Sequence, residues 1–86
     1  MALALPPPTV EEADRIEKMA NYVAKNGMPF ERVVRDKHIG NIQFAFLDLN
    51  GPAPAANAYY RHVLNCLMNG GWTIEQIVMV RQQHHQ

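Results

Sequence analysis

The chain has 86 residues, 48% of them hydrophobic, and eight basic residues balance eight acidic ones to a formal net charge of zero. That length suits one domain, and a chain so short buries only ~60% of its unfolded surface, so its stability is modest. Charge balance excludes an overall basic footprint for nucleic acid, no apolar run approaches the ~18 residues of a membrane span, and the single cysteine, Cys66, excludes an internal disulfide and fits a reducing compartment.

Residues 1–8, MALALPPP, predict a Pro-rich extended linker, because the three prolines disfavour a helix before them. MALAL is too short, and lacks the basic flank, for a secretory signal. A capping box follows, with Thr9 as N-cap and Glu12 three residues on. Glu11, Glu12 and Asp14 then place negative charge at the positive end of a helix dipole. Ile16, Met19, Ala20 and Val23 recur at helical spacing and Gly27 suits the position just past the end, which predicts a first helix over 10–26.

A second helix starts almost at once, with Pro29 as its first residue. Phe30, Val33, Val34 and Lys37 form its stripe, and Gly40-Asn41 closes it. The next segment, GNIQFAFLDLN over 40–50, alternates like a strand but has no strand to pair with. A short 3₁₀ turn around Ile42 to Phe44, then an extended piece, is the expected conformation. Phe44 and Phe46 are expected to wedge into the gap between the helices, where two such rings bury roughly 300–500 Å².

DLNGPAPAA, 48–56, reads as a loop. A third helix is expected from near Asn57 to about Met68, with Tyr59, Tyr60, Val63, Leu64, Leu67 and Met68 on a broad apolar face and Asn69-Gly70-Gly71 as its end. Thr73 and Gln76 signal a fourth helix, whose stripe of Ile74, Ile77, Val78 and Arg81 fades into the polar RQQHHQ. The fold class is therefore all-α. Its predicted core comprises Ile16, Met19, Val23, Phe44, Phe46, Leu47, Tyr60 and Leu64.

Chemistry-bearing patterns are sparse. Helix-start charge accounts for Glu11, Glu12 and Asp14. His84 and His85 are adjacent, so they cannot share a helix face as i, i+4 ligands do, while His38 and His62 lack a neighbouring cysteine or carboxylate pattern. Cys66 lies among Leu64, Leu67 and Met68 as a small buried side chain. With no phosphate loop, nucleophile motif or zinc spacing, the expectation is a non-enzyme with no metal and no cofactor. Two surfaces remain for binding. One is the second face of the first helix, at Arg15, Lys18, Tyr22 and Lys25, with Phe30 and Val34 near its edge, which suits the apolar stripe of a partner helix. The other is the cluster of Arg32, Arg35, Lys37 and His38, interrupted by Glu31 and Asp36, which would serve direct RNA contact. Self-association through Trp72, Ile77 and Val78 is a third possibility.

Four blocks in order carry a family resemblance: Met19-Ala20-Asn21-Tyr22-Val23-Ala24-Lys25-Asn26-Gly27, then Phe30-Glu31, then Gly40-Asn41-Ile42-Gln43-Phe44-Ala45-Phe46-Leu47, then Ala58-Tyr59-Tyr60-Arg61-His62. Together they resemble the SURP module of pre-mRNA splicing factors, first named for the suppressor-of-white-apricot regulators. Ile42 stands where the family often has proline, and the loop before the Tyr59-Tyr60 pair is longer and richer in alanine. The resemblance implies two helices, a 3₁₀ turn and a third helix over 9–68; residues 69–86 have no counterpart in the family core and read from their own pattern as a helical extension and polar tail. It also implies a nuclear, monomeric module that binds a short amphipathic helix of another splicing factor, the RNA being held by the parent assembly. On that resemblance Lys18 is the position expected to set selectivity, beside Tyr22, Lys25, Phe30 and Val34.

Overall fold

The computed structural model describes residues 9–48 and 51–84; the expected linker 1–8, Leu49 and Asn50 of the expected loop, His85 and Gln86 lie outside them. The chain forms α1 (Val10–Asn26), α2 (Met28–Lys37), a 3₁₀ helix (Ile42–Leu47), α3 (Pro54–Asn69) and α4 (Ile74–His84).

Local chemistry sets the ends of α1. Thr9 Oγ1 accepts from the Glu12 amide at 3.2 Å, and the Glu12 carboxylate returns the contact to the Thr9 amide. Gly27 then serves two helices at once. Its N–H donates to the Val23 carbonyl, ending α1, and its own carbonyl accepts from the Phe30 amide, opening α2. The junction requires φ = 93°, a region that L side chains rarely adopt. One residue therefore turns the chain from α1 into α2.

The 40–50 segment departs from expectation. A single 3₁₀ helix runs through Leu47, so there is no extended piece after Phe44. Its i→i+3 hydrogen bonds, among them Phe44 N to Asn41 O and Asp48 N to Ala45 O, satisfy locally the groups that an extended chain would leave unpaired. Three residues per turn also separates Phe44 from Phe46 by a third of a turn. Phe46 enters the core at 3% exposure, whereas Phe44 is half-buried at the edge, stacked on His38 with ring centroids 4.1 Å apart. The wedge is thus Phe46 with Leu47, and Phe44 seals its outer side.

Helix α3 begins three residues ahead of Asn57, because Pro54 is preorganised for a first turn and has no N–H to leave orphaned. Asn57 consequently lies inside the helix, and its buried amide donates to the Phe46 carbonyl at 2.7 Å, tying α3 to the 3₁₀ helix. At α4, Thr73 and Gln76 cap reciprocally as their spacing predicts. The helix continues through the polar residues Arg81 to His84.

The core assembles on α1 and α3. Ala13, Ile16, Ala20 and Val23 meet Tyr59, Tyr60, Val63 and Leu64, with Phe46, Leu47 and Ile77 closing the ends. Of the predicted core, Met19 and Phe44 are only partly buried. Three predicted stripe residues face out: Val33 at 54% exposure, Lys37, and Met68 at 44%.

Phe46→Ala is expected to destabilise the domain by about 3–5 kcal/mol, a large share of what a chain this size holds. Ile42→Ala, at a side chain 76% exposed, is expected to stay within about 0.5 kcal/mol of wild type. Denaturant melts of the two variants check the contrast, and equal losses would contradict the wedge.

Candidate functional site

Two clasps of buried polar groups fix the frame on which any site is carried. Adjacent residues of a helix point roughly 100° apart, so Tyr59 and Tyr60 leave α3 toward different neighbours. The Tyr59 hydroxyl donates to Glu17 on α1, and the Tyr60 hydroxyl donates to Glu31 on α2 at 2.7 Å. Both glutamates are buried, Glu17 at 1% exposure. Arg81 of α4 completes the first clasp, donating through Nε to Oε2 and through Nη2 to Oε1 of Glu17, the latter at 2.9 Å. No buried side-chain nitrogen or oxygen among the described residues lacks a partner.

These surroundings shift the proton equilibria. Burial, reinforced by the hydrogen bond to Glu17, pushes the Tyr59 phenol well above its ordinary value. Burial and Glu31 do the same for Tyr60. The bond to Glu17 raises Arg81 further, against its burial. Burial pushes the Cys66 thiol up, and its Sγ lies 3.8 Å from His62 Nε2. Such a thiol is a packed side chain and not an activated nucleophile.

Sequence reasoning missed Glu17, Glu31, Asn57 and Arg81 as structural polar groups. A signal for the first was present: Glu17 sits within the apolar arc of Ala13, Ile16, Ala20 and Ala24, and a buried tyrosine hydroxyl demands an acceptor. The Glu31 clasp also alters the basic cluster. Glu31 points inward, so only Asp36 interleaves with exposed Arg32 and Lys37 at the surface.

The face of α1 opposite the core carries Lys18, Tyr22 and Lys25, all exposed, with Arg15 half-buried beside them. Tyr22 is 56% exposed, an aromatic ring left in water on a helix whose other apolar residues are mostly covered. Lys18 pairs with Asp14 one turn earlier at 3.4 Å, an exposed i, i+4 contact worth ~0.3–0.5 kcal/mol, which a partner can displace. Phe30 and Val34 pack against the core cluster and are half-buried, so they offer edges only. Two concavities lie elsewhere. One of about 160 Å³ sits where α2 meets the 3₁₀ helix, among Arg35, His38, Ile39, Ile42 and Phe44, and the other runs along α4. The α1 face is thus an exposed strip, with Tyr22 in water between the two lysines.

Among the described residues no group of three or more His, Cys, Asp or Glu side chains is placed to hold a metal ion, and no helix is long and apolar enough to cross a membrane. The described residues form a small all-helical domain. The family model of the Surp module matches residues 7–71, and the chain belongs to that family. It is 45% identical over 60 residues to the pre-mRNA-splicing factor sap114 of Schizosaccharomyces pombe, covering 70% of this chain and 11% of that protein. It is 37% identical over 70 residues to splicing factor 3A subunit 1 of Homo sapiens, covering 81% of this chain and 8% of that protein. To the splicing factor suppressor of white-apricot homolog of Rattus norvegicus it is 34% identical over 68 residues, 79% of this chain and 7% of that one. The chain therefore spans about a tenth of the length of these relatives. No solved structure matches it.

The raised phenols imply an alkaline limit to stability. Folded Tyr59 and Tyr60 hold their protons more tightly than the unfolded chain, where a tyrosine titrates near 10. Their contribution is complete below about pH 10 and is lost above it, at ~1.4 kcal/mol per pH unit for each tyrosine. Helical circular dichroism is expected to collapse in the same pH range in which the two phenolates appear by difference absorbance. Ionisation of both with the helix signal intact would refute the clasps.

Proposed function

We propose that this chain is a non-catalytic protein-interaction module of a nuclear pre-mRNA splicing factor, and that it captures a short amphipathic helix of another splicing protein. Membership of the Surp family and the likeness to three proteins named as splicing factors support the assembly. The carrying observation for the surface is the α1 strip: Tyr22 exposed between Lys18 and Lys25 on the face that the core does not use.

The chemistry of the strip selects its ligand. Lysine stems can lie over apolar surface while their ammonium groups stay in water, so Lys18 and Lys25 flank the Tyr22 ring without desolvating charge. A partner leucine laid on that ring gains roughly 1.5–3 kcal/mol if fully covered. Acidic or polar residues beside that leucine meet Lys18, which pairs within the chain with exposed Asp14. Because the strip is open, binding rests on a few anchors, and after the association entropy an affinity near micromolar, about −8 kcal/mol, is expected. Half-buried Phe30 and Val34 extend the contact toward α2.

Titration of the labelled chain with a leucine-bearing amphipathic helical peptide is expected to shift amides over residues 15–34. Tyr22→Ala is expected to weaken binding by roughly ten-fold, about 1.4 kcal/mol, while leaving the melt unchanged. Shifts confined to residues beyond 72, or a Tyr22→Ala variant that binds normally, would sink the reading. A parallel titration with single-stranded RNA at two salt concentrations tests the basic cluster of α2, where steep loss with salt marks phosphate contact.

A further inference from the structure

Helix α4 lies beyond the residues that match the Surp module, yet it seats on α1 through chemistry that belongs to the matched part. Glu17 is held by Tyr59 from within that part, and its carboxylate is presented along the flank of α1 at which α4 arrives. Helix α4 supplies Ile77, buried at 8% exposure, and Arg81 four residues on, which makes a two-point contact with both carboxylate oxygens. Side-chain exposures of 9% for Arg81 and 2% for Glu17 keep the pair out of water. The rest of α4 is lightly engaged: Ile74, Val78 and Val80 are half-buried, Glu75, Gln76, Met79 and Gln82 face solvent, and Gly70-Gly71 precede the helix, Gly71 at φ = 72°.

We propose that the Glu17–Tyr59 flank of α1 is a second helix-docking seat, separate from the Lys18–Tyr22 strip, and that α4 is the strap that fills it in cis. The occupant the seat selects is an amphipathic helix with an aliphatic residue and, four positions later, an arginine. Fork geometry makes the selection, because a guanidinium can reach both oxygens of one carboxylate while the Tyr59 hydroxyl holds that carboxylate in place. Leaving Glu17 without its cation is strongly unfavourable, so the seat accepts a helix only if the helix brings the arginine. A partner helix of that chemistry displaces α4 by occupying the same two points. This inference does not depend on what binds the outer strip of α1.

The test uses the full chain and a synthetic peptide of residues 72–86. In an Arg81→Met chain, amides of α4 are expected to exchange with solvent at least roughly ten-fold faster, while those of α1 and α3 keep their protection. The wild-type peptide is expected to bind that chain at least roughly ten-fold more tightly than it binds wild-type protein, whose seat is filled. A peptide carrying Arg81→Met is expected not to bind. Glu17→Gln in the full chain keeps the shape of the seat and removes its charge, and is expected to loosen α4 and bind neither peptide. Loss of protection in α1 and α3 together with α4, or outright unfolding of the variants, would make α4 an integral part of the core and overturn the proposal. Equal binding of the two peptides, or equal binding to filled and emptied seats, overturns it as well.

Discussion

Everything in this fold hangs on two neighbouring tyrosines of α3 that each hold a buried carboxylate on a different helix. Tyr59 reaches Glu17 of α1 and Tyr60 reaches Glu31 of α2, so one turn of α3 fixes both partners at once. A hydrogen bond to a charged acceptor contributes about 1.5–3 kcal/mol, and a buried carboxylate deprived of it costs more than that. Apolar packing between α1 and α3 supplies the bulk of the burial, but it is tolerant of small slides. The clasps are not, because a hydroxyl displaced by an ångström no longer meets its oxygen. Hence the two tyrosines set the register in which the apolar faces pack.

The legible parts of the fold were those with a local cause. Thr9 with Glu12 and Thr73 with Gln76 announce helix starts through atoms three residues apart, and the structure forms both capping boxes. Ile16, Ala20 and Val23 mark their face by spacing alone. The polar core was illegible for a converse reason. Glu17 and Glu31 look like any exposed glutamate until Tyr59 and Tyr60, 42 and 29 residues away, come to meet them, and nothing in a window of one helix records that. The same holds for Arg81, read as part of a stripe but needed for its charge. Helix α3 started early for a local reason that was misweighted: Pro54 reads as a breaker inside a loop, yet it is a good first helical residue. At the candidate site the strip residues were placed on one face correctly by period. Its shape was not readable, since the depth of a groove depends on how far α2 stands from α1.

The 3₁₀ helix shows how a motif that reads as a strand is resolved without a sheet. Its aromatic rings form a ladder, His38 on Phe44, Phe44 6.2 Å from Phe46, and Phe46 5.4 Å from Tyr60. The inner end of that ladder is the Tyr60–Glu31 clasp, and the outer end is the concavity bordered by Ile39 and Ile42. Asn57 closes the segment by taking the Phe46 carbonyl, which a 3₁₀ helix leaves free near its end. The segment is thus held through a ring, an amide and a turn of its own backbone, and no strand partner is required.

Division of α1 into sectors follows from this arrangement and leaves one face of the helix outside the core. The inner sector, Ala13, Ile16, Ala20 and Val23, is spent on α3; the flank at Glu17 is taken by Arg81; and the outward sector carries Lys18, Tyr22 and Lys25. A helix of 17 residues with three occupied sectors would have no surface left to offer. Here the third sector stays open because the small residues at 13 and 20 let α3 cover the first fully, so α1 needs no support on its far side. Substitution of an outward residue therefore has little effect on the core. Substitution of Glu17 by glutamine acts on the seating of α4, since the amide oxygen still accepts from Tyr59 while the charge that Arg81 meets is gone.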